Sequence, residues 1–465
     1  MPRAHFVGIG GAGMSALARV LMEMGYEVTG SDLVLGEAAR RLASRGARVF
    51  QGHRAEQVGN PDLVVVSAAV PADNVEVREA RARGLPVLGR AELLARLMAE
   101  RDGVGVAGAH GKTTTASMVA VCLERAGLDP TVLIGGELND EGATSRLGRG
   151  RYLVAEVDEY DGTILLLHPH VALVTNIDDD HLERYRYSMD ELVGAFRRFL
   201  DQVRPGGTAV ACLDSPHLRR ALEGYRGNLI TYSLNGEADY TAADIGLLPG
   251  GSRFVAHHGG RPLGEVTLAV PGLHNVQNAL GAIAACSFLG VDFPVAREAL
   301  ASFRGVRRRF QTLGTENGIR VVDDFAHHPA EVEATLRAAR LEAGGGRVVC
   351  LFQPHRYTRT QILHRAFGPA LALADLVGVM DVYPAAEPPL PGVTGELVAR
   401  AVRDQGKPAP FLPSPREALD WLRENVRPGD LVMVMGAGDV WKVGKEFVRH
   451  LRGGGASGTG PDAAA

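Results

Sequence analysis

A phosphate-binding loop is the first chemistry that the sequence suggests. The run that carries it is Gly108-Ala109-His110-Gly111-Lys112-Thr113-Thr114-Thr115. Glycines let backbone N–H groups approach phosphate oxygens closely, and a helix N-terminus favours an anion. Lys112 supplies a cation for the outer phosphates of a nucleotide such as ATP, and the Thr113 hydroxyl suits Mg²⁺. The usual pattern has another glycine five residues before Gly111, where this chain has Val106. An ordinary strand-to-helix turn therefore stays open as an alternative.

A second glycine loop lies near the N-terminus. Residues 8–13, Gly8-Ile9-Gly10-Gly11-Ala12-Gly13, fit the pattern G-x-G-x-x-G between an apolar run and a helical stretch. Asp32 ends the next predicted strand, at the spacing of an acid that binds ribose. The pattern predicts a diphosphate-bearing ligand at a helix N-terminus. It leaves NAD(P) and other nucleotides open, and glycines needed only for strand–helix packing are the structural alternative.

Acidic residues follow two predicted strands in the segment of the lysine loop. Glu156 ends one strand, and Asp158-Glu159-Tyr160-Asp161 follows it closely. The other strand leads into Asn176-Ile177-Asp178-Asp179-Asp180-His181-Leu182-Glu183. Hard oxygen ligands suit Mg²⁺, so Glu156 is a candidate ligand beside Thr113. His181 is a candidate second metal ligand or a phosphate contact. A solvated acidic turn and a structural histidine are the alternatives.

Histidine and arginine accumulate at later predicted strand and helix ends. His274 and Asn275 open a helix rich in small residues and suit a nucleobase, although Asn275 also suits a helix cap. The basic run Arg307-Arg308-Arg309-Phe310 stands at a candidate domain junction. Two neighbouring strand ends carry Asp323-Asp324-Phe325-Ala326-His327-His328-Pro329 and the run FQPHRYTRT at 352–360. We expect a crevice for anionic groups there, because arginine binds a carboxylate through two hydrogen bonds.

The elements that hold these residues are typical of parallel sheets with crossover helices. Short apolar runs that end in glycine alternate with amphipathic stretches, which predicts an α/β fold. The strands predicted beside the candidate sites are 5–10, 27–30, 104–107, 152–157, 171–176, 320–323 and 347–352. The helices predicted after them are 14–24, 116–123, 276–289, 329–341 and 360–374.

Composition restricts the class of protein further. At 465 residues the chain is too long for one core, so several domains are expected. A net charge of -4 without a basic stripe argues against nucleic acid as a partner. Charges and glycines interrupt every apolar run, and no signal peptide is visible, so we expect no membrane insertion and a cytoplasmic location. The scattered cysteines are expected to be buried and reduced. They are Cys122, Cys212, Cys286 and Cys350.

Taken together, these motifs resemble the Mur ligase family of peptidoglycan synthesis, and within it the branch that adds L-alanine. The resemblance covers nearly the whole chain. It is carried by both glycine loops, Thr175-Asn176-Ile177, Asp180-His181, Gly272-Leu273-His274-Asn275, Arg308-Arg309-Phe310, Asp323-Asp324, Gly436-Ala437-Gly438-Asp439 and, most specifically, FQPHRYTRT. It implies a Rossmann-like UDP-sugar-binding domain over 1–100 and a P-loop ATPase-type central domain over 101–304. A Rossmann-like C-terminal domain over 305–452 and a disordered tail over 453–465 would follow.

The resemblance also implies a reaction and a role for each candidate residue. ATP phosphorylates the carboxylate of UDP-N-acetylmuramate, and L-alanine attacks the acyl phosphate, with release of ADP and phosphate. The residues implied to bind ATP are Gly108, Ala109, His110, Gly111, Lys112, Thr113, Thr114, His274, Asn275, Arg309 and Asp324. Those implied to bind the sugar nucleotide or alanine are Gly10, Gly11, Ala12, Gly13, Met14, Ser15, Asp32, His327, Arg356 and Arg359. Mg²⁺ is assigned to Thr113, Glu156 and His181, and catalysis to Lys112, His181, His327, Arg356 and Arg359.

Four positions depart from the family pattern. Phe325 and Ala326 stand where the family commonly has tyrosine and glycine, Tyr160 where it has serine, and Glu183 where it has aspartate. Phe325 and Tyr160 resemble the ligase that attaches a recycled murein tripeptide to the same sugar nucleotide, which is the nearest alternative. An NAD(P)-dependent oxidoreductase and a non-catalytic nucleotide switch are more distant alternatives.

Overall fold

Three β-sheets follow one another along the chain in the computed structural model. The structure describes residues 1–135, 145–159, 162–179, 185, 188–385 and 387–453. The chain divides into two compact units. The first comprises 1–246, 253–269 and 274–306, and the second 247–252, 270–273 and 307–465. The predicted metal ligand His181, the departures Tyr160 and Glu183, and the predicted tail from 454 onward lie outside the described residues.

The first sheet has five parallel strands in the order β3-β2-β1-β4-β5. They are β1 Arg3–Val7, β2 Glu27–Asp32, β3 Arg48–Gln51, β4 Leu63–Val66 and β5 Val87–Gly89. Its helices are α1 Ala12–Glu23, α2 Glu37–Ser44, α3 Val75–Ala82 and α4 Arg90–Ala99. The strand order reverses beside β1, and such a switch point opens a crevice at the carboxyl ends of the strands. The first glycine loop lies there, between β1 and α1.

The second sheet has ten strands in the order β15-β14-β13-β12-β11-β10-β6-β9-β7-β8. They are β6 Asp102–Ala107, β7 Thr131–Leu133, β8 Ser145–Arg146, β9 Tyr152–Glu156, β10 Val171–Val174, β11 Thr208–Cys212, β12 Leu229–Ser233, β13 Tyr240–Leu248, β14 Gly251–His258 and β15 Arg261–Leu268. The helices are α5 Lys112–Arg125, α6 Met189–Asp201, α7 Pro216–Leu222, α8 Leu273–Phe288 and α9 Phe293–Ser302. Strand β6 pairs in parallel with β9 on one side and β10 on the other. The lysine loop, the first acidic cluster and the Thr175-Asn176 segment therefore emerge at one edge of the sheet.

The third sheet has six strands in the order β16-β17-β21-β18-β19-β20, and only β16 is antiparallel to its neighbour. They are β16 Gln311–Glu316, β17 Ile319–Asp324, β18 Val348–Phe352, β19 Leu376–Met380, β20 Phe411–Leu412 and β21 Leu431–Met435. The helices are α10 Pro329–Ala343, α11 Tyr357–Leu371, α12 Glu396–Arg403, α13 Pro415–Asn425 and α14 Val440–Arg452. Alternate residues of β18 pack into two separate cores, Cys350 and Phe352 on one face and Val349 and Leu351 on the other. Burial on both faces explains why its sequence is continuously apolar.

One part of the expected topology is wrong. We expected the strands that end in Asp324 and Phe352 to be neighbours, but β21 lies between them and pairs Met435 with both residues. The residues after β21 include Gly436, whose φ is +146°, and a Cβ there would lie 2.6 Å from the Gln353 carbonyl oxygen. A side chain at this turn is therefore excluded.

The α/β class and the parallel sheets are confirmed. All four cysteines are buried and free, as expected. Among the described residues, no helix is both long and apolar enough to cross a lipid bilayer.

Candidate active site

The conformation of the lysine loop requires glycine at two positions. Gly108 has φ +131° and Gly111 has φ +82°, a region that side chains rarely adopt. A Cβ on Gly108 would lie 2.2 Å from Thr175 Oγ1, and one on Gly111 would lie 2.5 Å from Asn278 Oδ1. Any other residue at either position would have a strained backbone and would clash with its neighbours. An ordinary strand-to-helix turn does not require both constraints.

The loop is held from the end of the neighbouring strand β10. Asn176 accepts hydrogen bonds from Ala109 N through its carbonyl oxygen, at 3.2 Å, and from His110 N through Oδ1, at 2.8 Å. Its Nδ2 donates to the His110 carbonyl at 3.0 Å, and Thr175 Oγ1 donates to the same oxygen at 2.6 Å. The His110 ring also contacts Asp178, with Nε2 and Oδ2 3.0 Å apart. The loop shape is therefore fixed before any ligand binds.

Lys112 is the first residue of α5, and its ammonium group is charged. Nζ lies 3.2 Å from Glu159 Oε2, and the exposed fractions of the two side chains are 12% and 2%. Burial alone lowers the pKa of Lys112, but the carboxylates of Glu159, Asp158 and Glu156 raise it above its ordinary value. A cation at a helix N-terminus is unfavourable, so these acids compensate a charge that the helix itself does not stabilise. Such a group is suited to meet an anionic ligand.

A hydroxyl and a carboxylate lie beside this lysine. Thr113 Oγ1 donates to Glu156 Oε1 at 3.0 Å, and Gly135 N donates to Glu156 Oε2 at 3.2 Å. Both side chains offer hard oxygen ligands of the kind that Mg²⁺ prefers, and the metal usually takes its remaining ligands from phosphate and water. The pair therefore fits a magnesium site at the phosphate loop. Thr114, the next residue, is partly exposed.

The start of α8 approaches the lysine loop through an asparagine pair. Helix α8 begins at Leu273, so Asn275 lies within its first turn and is not the helix cap that we weighed as an alternative. Asn275 Oδ1 accepts from Asn278 Nδ2 at 3.2 Å, and Asn278 faces Gly111. Asn278 was not among the predicted site residues, although its spacing of three from Asn275 places both residues on one helix face.

The N-terminal glycine loop is closed by the end of strand β2. Asp32 Oδ2 accepts from Gly10 N at 2.8 Å, and the Ser31 carbonyl accepts from Gly8 N and Ile9 N at 2.8 and 3.0 Å. Of the predicted substrate-binding residues here, Met14 is buried in the core and presents no side-chain surface. Asp32 thus holds the loop itself, a role that the ribose-binding interpretation did not include.

Two further predicted residues, Arg309 and His327, lie against the ring of Phe325, and a third, Asp324, precedes it in the chain. The Arg309 guanidinium lies 5.3 Å from the ring centroid, and the His327 ring meets it edge-on at 5.3 Å. Asp324 accepts from Phe310 N and Ala326 N, both at 2.8 Å, and burial raises its pKa to about 6. The carboxylate thus fixes the two chain segments on either side of the ring.

Residues of the FQPHRYTRT motif at 352–360 form a second cluster, which includes His327. The ring centroids of His327 and His355 are 5.7 Å apart, and Arg359 Nη1 donates to His355 Nδ1 at 3.3 Å. Arg359 is 8% exposed, so its guanidinium is held almost entirely by protein. Arg356 has φ +68°, which marks strain at the residue before α11. His355 connects two predicted site residues, but no role was predicted for His355 itself.

Comparisons with known proteins cover nearly the whole chain. The model "Mur ligase family, catalytic domain" matches residues 3–102, "Mur ligase middle domain" matches 106–286, and "Mur ligase, glutamate ligase domain" matches 308–438. The UDP-N-acetylmuramate–L-alanine ligase of Pelotomaculum thermopropionicum is 50% identical over 96% of this chain and 97% of its own. The ligase of the same name from Geobacter sp. strain M21 is 48% identical over 97% and 98%.

Two solved structures are similar over the full length. The UDP-N-acetylmuramate-alanine ligase of Thermotoga maritima superimposes with a TM-score of 0.84 at 31% identity, covering 97% of this chain and 100% of its own. The murein peptide ligase of Psychrobacter arcticus gives 0.73 at 25% identity, covering 97% and 99%. The three-domain α/β architecture expected from the sequence is therefore confirmed, and the chain belongs to the Mur ligase family.

Proposed function

We propose that this chain is an ATP-dependent ligase that joins L-alanine to the carboxylate of UDP-N-acetylmuramate, in the cytoplasm, during synthesis of peptidoglycan precursors. The observation that carries the proposal is 50% identity, over 96% of this chain, to a ligase of that name. The glycine conformations of the lysine loop support it, because we assign that loop to the phosphates of ATP. The first glycine loop lies in the first Mur ligase segment, 3–102, so we assign it to the UDP part of the acceptor and not to NAD(P).

We assign binding roles to the three segments with the boundaries that we proposed from the sequence. Residues 1–100 bind the sugar nucleotide through the 10–15 loop and Asp32, residues 101–304 bind ATP, and residues 305–452 bind alanine and part of the nucleotide. Arg309 and Asp324 are assigned to the nucleotide in that last segment. His274 and Asn275 are assigned to ATP in the central one.

The chemistry begins at the lysine loop. A carboxylate oxygen of the acceptor attacks the γ-phosphorus of ATP, ADP leaves, and an acyl phosphate remains. Backbone N–H groups between Gly108 and Gly111 hold the phosphates, and Lys112 balances the charge that develops on them. Thr113 and Glu156 would hold Mg²⁺, which neutralises phosphate oxygens when it is bound. His181, outside the described residues, stays a predicted second ligand or a group that orients the acceptor.

Amide formation completes the reaction. The amine nitrogen of L-alanine attacks the acyl carbon, loses a proton, and phosphate leaves. His327, Arg356 and Arg359 are assigned to the alanine carboxylate and to the charge on the tetrahedral intermediate. Arginine suits this task because its planar guanidinium forms two parallel bonds to a carboxylate. Positioning and electrostatics therefore supply most of the catalysis.

One alternative has a specific observation in its favour. Phe325 replaces the common tyrosine, as in the branch that transfers a murein tripeptide. Against it, the alanine ligase structure is the more similar of the two, with a TM-score of 0.84 against 0.73. The run FQPHRYTRT, which resembles the alanine-adding branch, also argues against this alternative.

Phosphate release from ATP tests the proposal. With Mg²⁺ and UDP-N-acetylmuramate present, we expect release to depend on L-alanine and to be weaker with glycine, L-serine or the tripeptide L-alanyl-γ-D-glutamyl-meso-diaminopimelate. Omission of the sugar nucleotide is the control. Release that is indifferent to the sugar nucleotide would contradict the ligase, and preference for the tripeptide would overturn the alanine assignment.

A further inference from the structure

A buried carboxylate that the reaction does not use lies behind the N-terminal glycine loop. Glu76, near the start of α3, is 0% exposed. Its Oε2 accepts from Ser31 Oγ at 2.5 Å and lies 3.3 Å from His53 Nδ1, while Oε1 accepts from Arg54 N at 3.2 Å. His5 Nε2 lies 3.6 Å from the same oxygen, Oε2. His5 belongs to β1 and Ser31 to β2, while His53 and Arg54 follow β3.

The cluster is costly unless it performs a task. His5 is 0% exposed, and its Nε2 has no hydrogen-bond partner although it faces the carboxylate. Burial raises the pKa of Glu76, but contacts with His5, Ser31 and Arg54 lower it below its ordinary value. A buried charge with several dedicated partners holds those partners in one geometry. Glu76 therefore holds the Ser31 side chain in one position.

Ser31 connects this carboxylate to the loop. Its hydroxyl is bound by Glu76, and its carbonyl accepts from Gly8 N and Ile9 N. The next residue, Asp32, accepts from Gly10 N at 2.8 Å. Three consecutive N–H groups of the loop are thus fixed by two residues at the end of β2, and the first of those is anchored by a buried charge.

We propose that Glu76 is a positioning residue for the sugar nucleotide. Through Ser31 it fixes the end of β2, and so it fixes the glycine loop that receives the UDP part of UDP-N-acetylmuramate. The proposal rests on the function proposed above. A preformed loop spares the ligand the cost of ordering it, so loosening the anchor weakens binding without touching the reacting atoms. A change at Glu76 should therefore weaken binding of the sugar nucleotide and leave binding of ATP unaffected.

The test compares Glu76→Gln and Ser31→Ala with Glu79→Gln. Glu79 lies on the same helix, is 38% exposed, and contacts only Arg83 among the pairs that the structure describes, so its variant should behave as wild type. Gln keeps the shape of Glu76 but loses the charge, and Ala removes only the Ser31 hydroxyl. For both we expect the KM of UDP-N-acetylmuramate to rise about tenfold, since a hydrogen bond to a buried charge is lost. The KM of ATP and of L-alanine, and kcat at saturation, should change less than about twofold.

Calorimetric titration of the full chain with UDP-N-acetylmuramate alone tests this inference separately from the proposed function. Weaker binding in both variants than in wild type supports the anchor even if no ligation is detected. Equal binding, or a loss of kcat and melting temperature with unchanged KM, would show that Glu76 only stabilises the fold and would overturn the inference. If Glu76→Gln does not fold, Ser31→Ala decides by the same two measurements.

Discussion

The ion pair between Lys112 and Glu159 gives the sharpest prediction, because removal of one partner leaves a buried charge. The Lys112→Met variant keeps most of the aliphatic stem and removes the ammonium group. The carboxylate of Glu159, 2% exposed, then loses the ammonium group that lies 3.2 Å from it. Breaking a buried pair from one side typically costs about 3 kcal/mol or more. We therefore expect the ligand-free variant to be destabilised by about 3 kcal/mol, and its ligase activity to be lost.

A double-mutant cycle separates charge from function. Adding Glu159→Gln to Lys112→Met removes the buried charge that has lost the Lys112 ammonium, so the double variant should regain about 2 kcal/mol of the lost stability. Its activity should stay absent, because Lys112 is still missing. The matched control is Arg125→Met at the other end of α5. Arg125 pairs with Glu298, and both side chains are more than half exposed. Exposed pairs contribute less than about 1 kcal/mol, so this variant should stay near wild type.

The assay must report the first unit. Both tryptophans, Trp421 and Trp441, lie in the second unit, so tryptophan fluorescence does not follow α5. Hydrogen exchange of the α5 amides in increasing urea gives the local free energy of opening directly. If Lys112→Met is as stable as Arg125→Met, or if the double variant is no more stable than Lys112→Met, the buried-pair reasoning is wrong.

Three further predictions concern other described residues. Gly111→Ala introduces a Cβ 2.5 Å from Asn278 Oδ1 at φ +82°, so the KM of ATP should rise and the melting temperature should fall, with a cost of about 1–3 kcal/mol; unchanged ATP kinetics would contradict this. Arg359→Lys should raise the KM of L-alanine about tenfold and leave that of ATP unchanged, because lysine lacks the planar pair of donors; an equal rise for both substrates would refute the assignment. Burial raises the pKa of Asp324 to about 6, above its unfolded value, so its stabilising contribution is complete below the unfolded pKa and is lost as pH rises through 6. The unfolding free energy of wild type relative to Asp324→Ala, followed by tryptophan fluorescence, should therefore fall by about 1 kcal/mol between pH 5 and 7.5, and a pH-independent difference would exclude the effect.

The parallel strands and the loops at their ends could be predicted because their signals are local. A buried strand is continuously apolar and ends in glycine, and both glycine loops follow such strands. Helices such as α2, Glu37–Ser44, were missed because they are short and carry few large apolar residues. The edge strand β16, Gln311–Glu316, was missed because little of it is buried.

The start of α11 shows why other features escaped. We predicted that this helix begins at Thr360, but it begins at Tyr357. The Thr358 N–H and hydroxyl are both accepted by the carboxylate of Glu387, which lies 29 residues further on. A cap supplied from so far along the chain leaves no local pattern. The same holds for Glu76, whose task depends on a strand 45 residues before it.

The same hydrogen-bond arrangement recurs in all three sheets. It makes strand ends that carry acidic residues compatible with the anionic ligands proposed above. At the end of β2, Asp32 accepts Gly10 N; at the end of β9, Glu156 accepts Gly135 N; and at the end of β17, Asp324 accepts Phe310 N. Each carboxylate is thus bonded to backbone donors of a neighbouring loop, which reduces its repulsion of a phosphate while it shapes the loop. Lys112 supplies the remaining positive charge at the central sheet. Neutral glutamine or asparagine at these positions would keep the size but offer only one acceptor oxygen, so the loops would lose order before the ligands lose a contact.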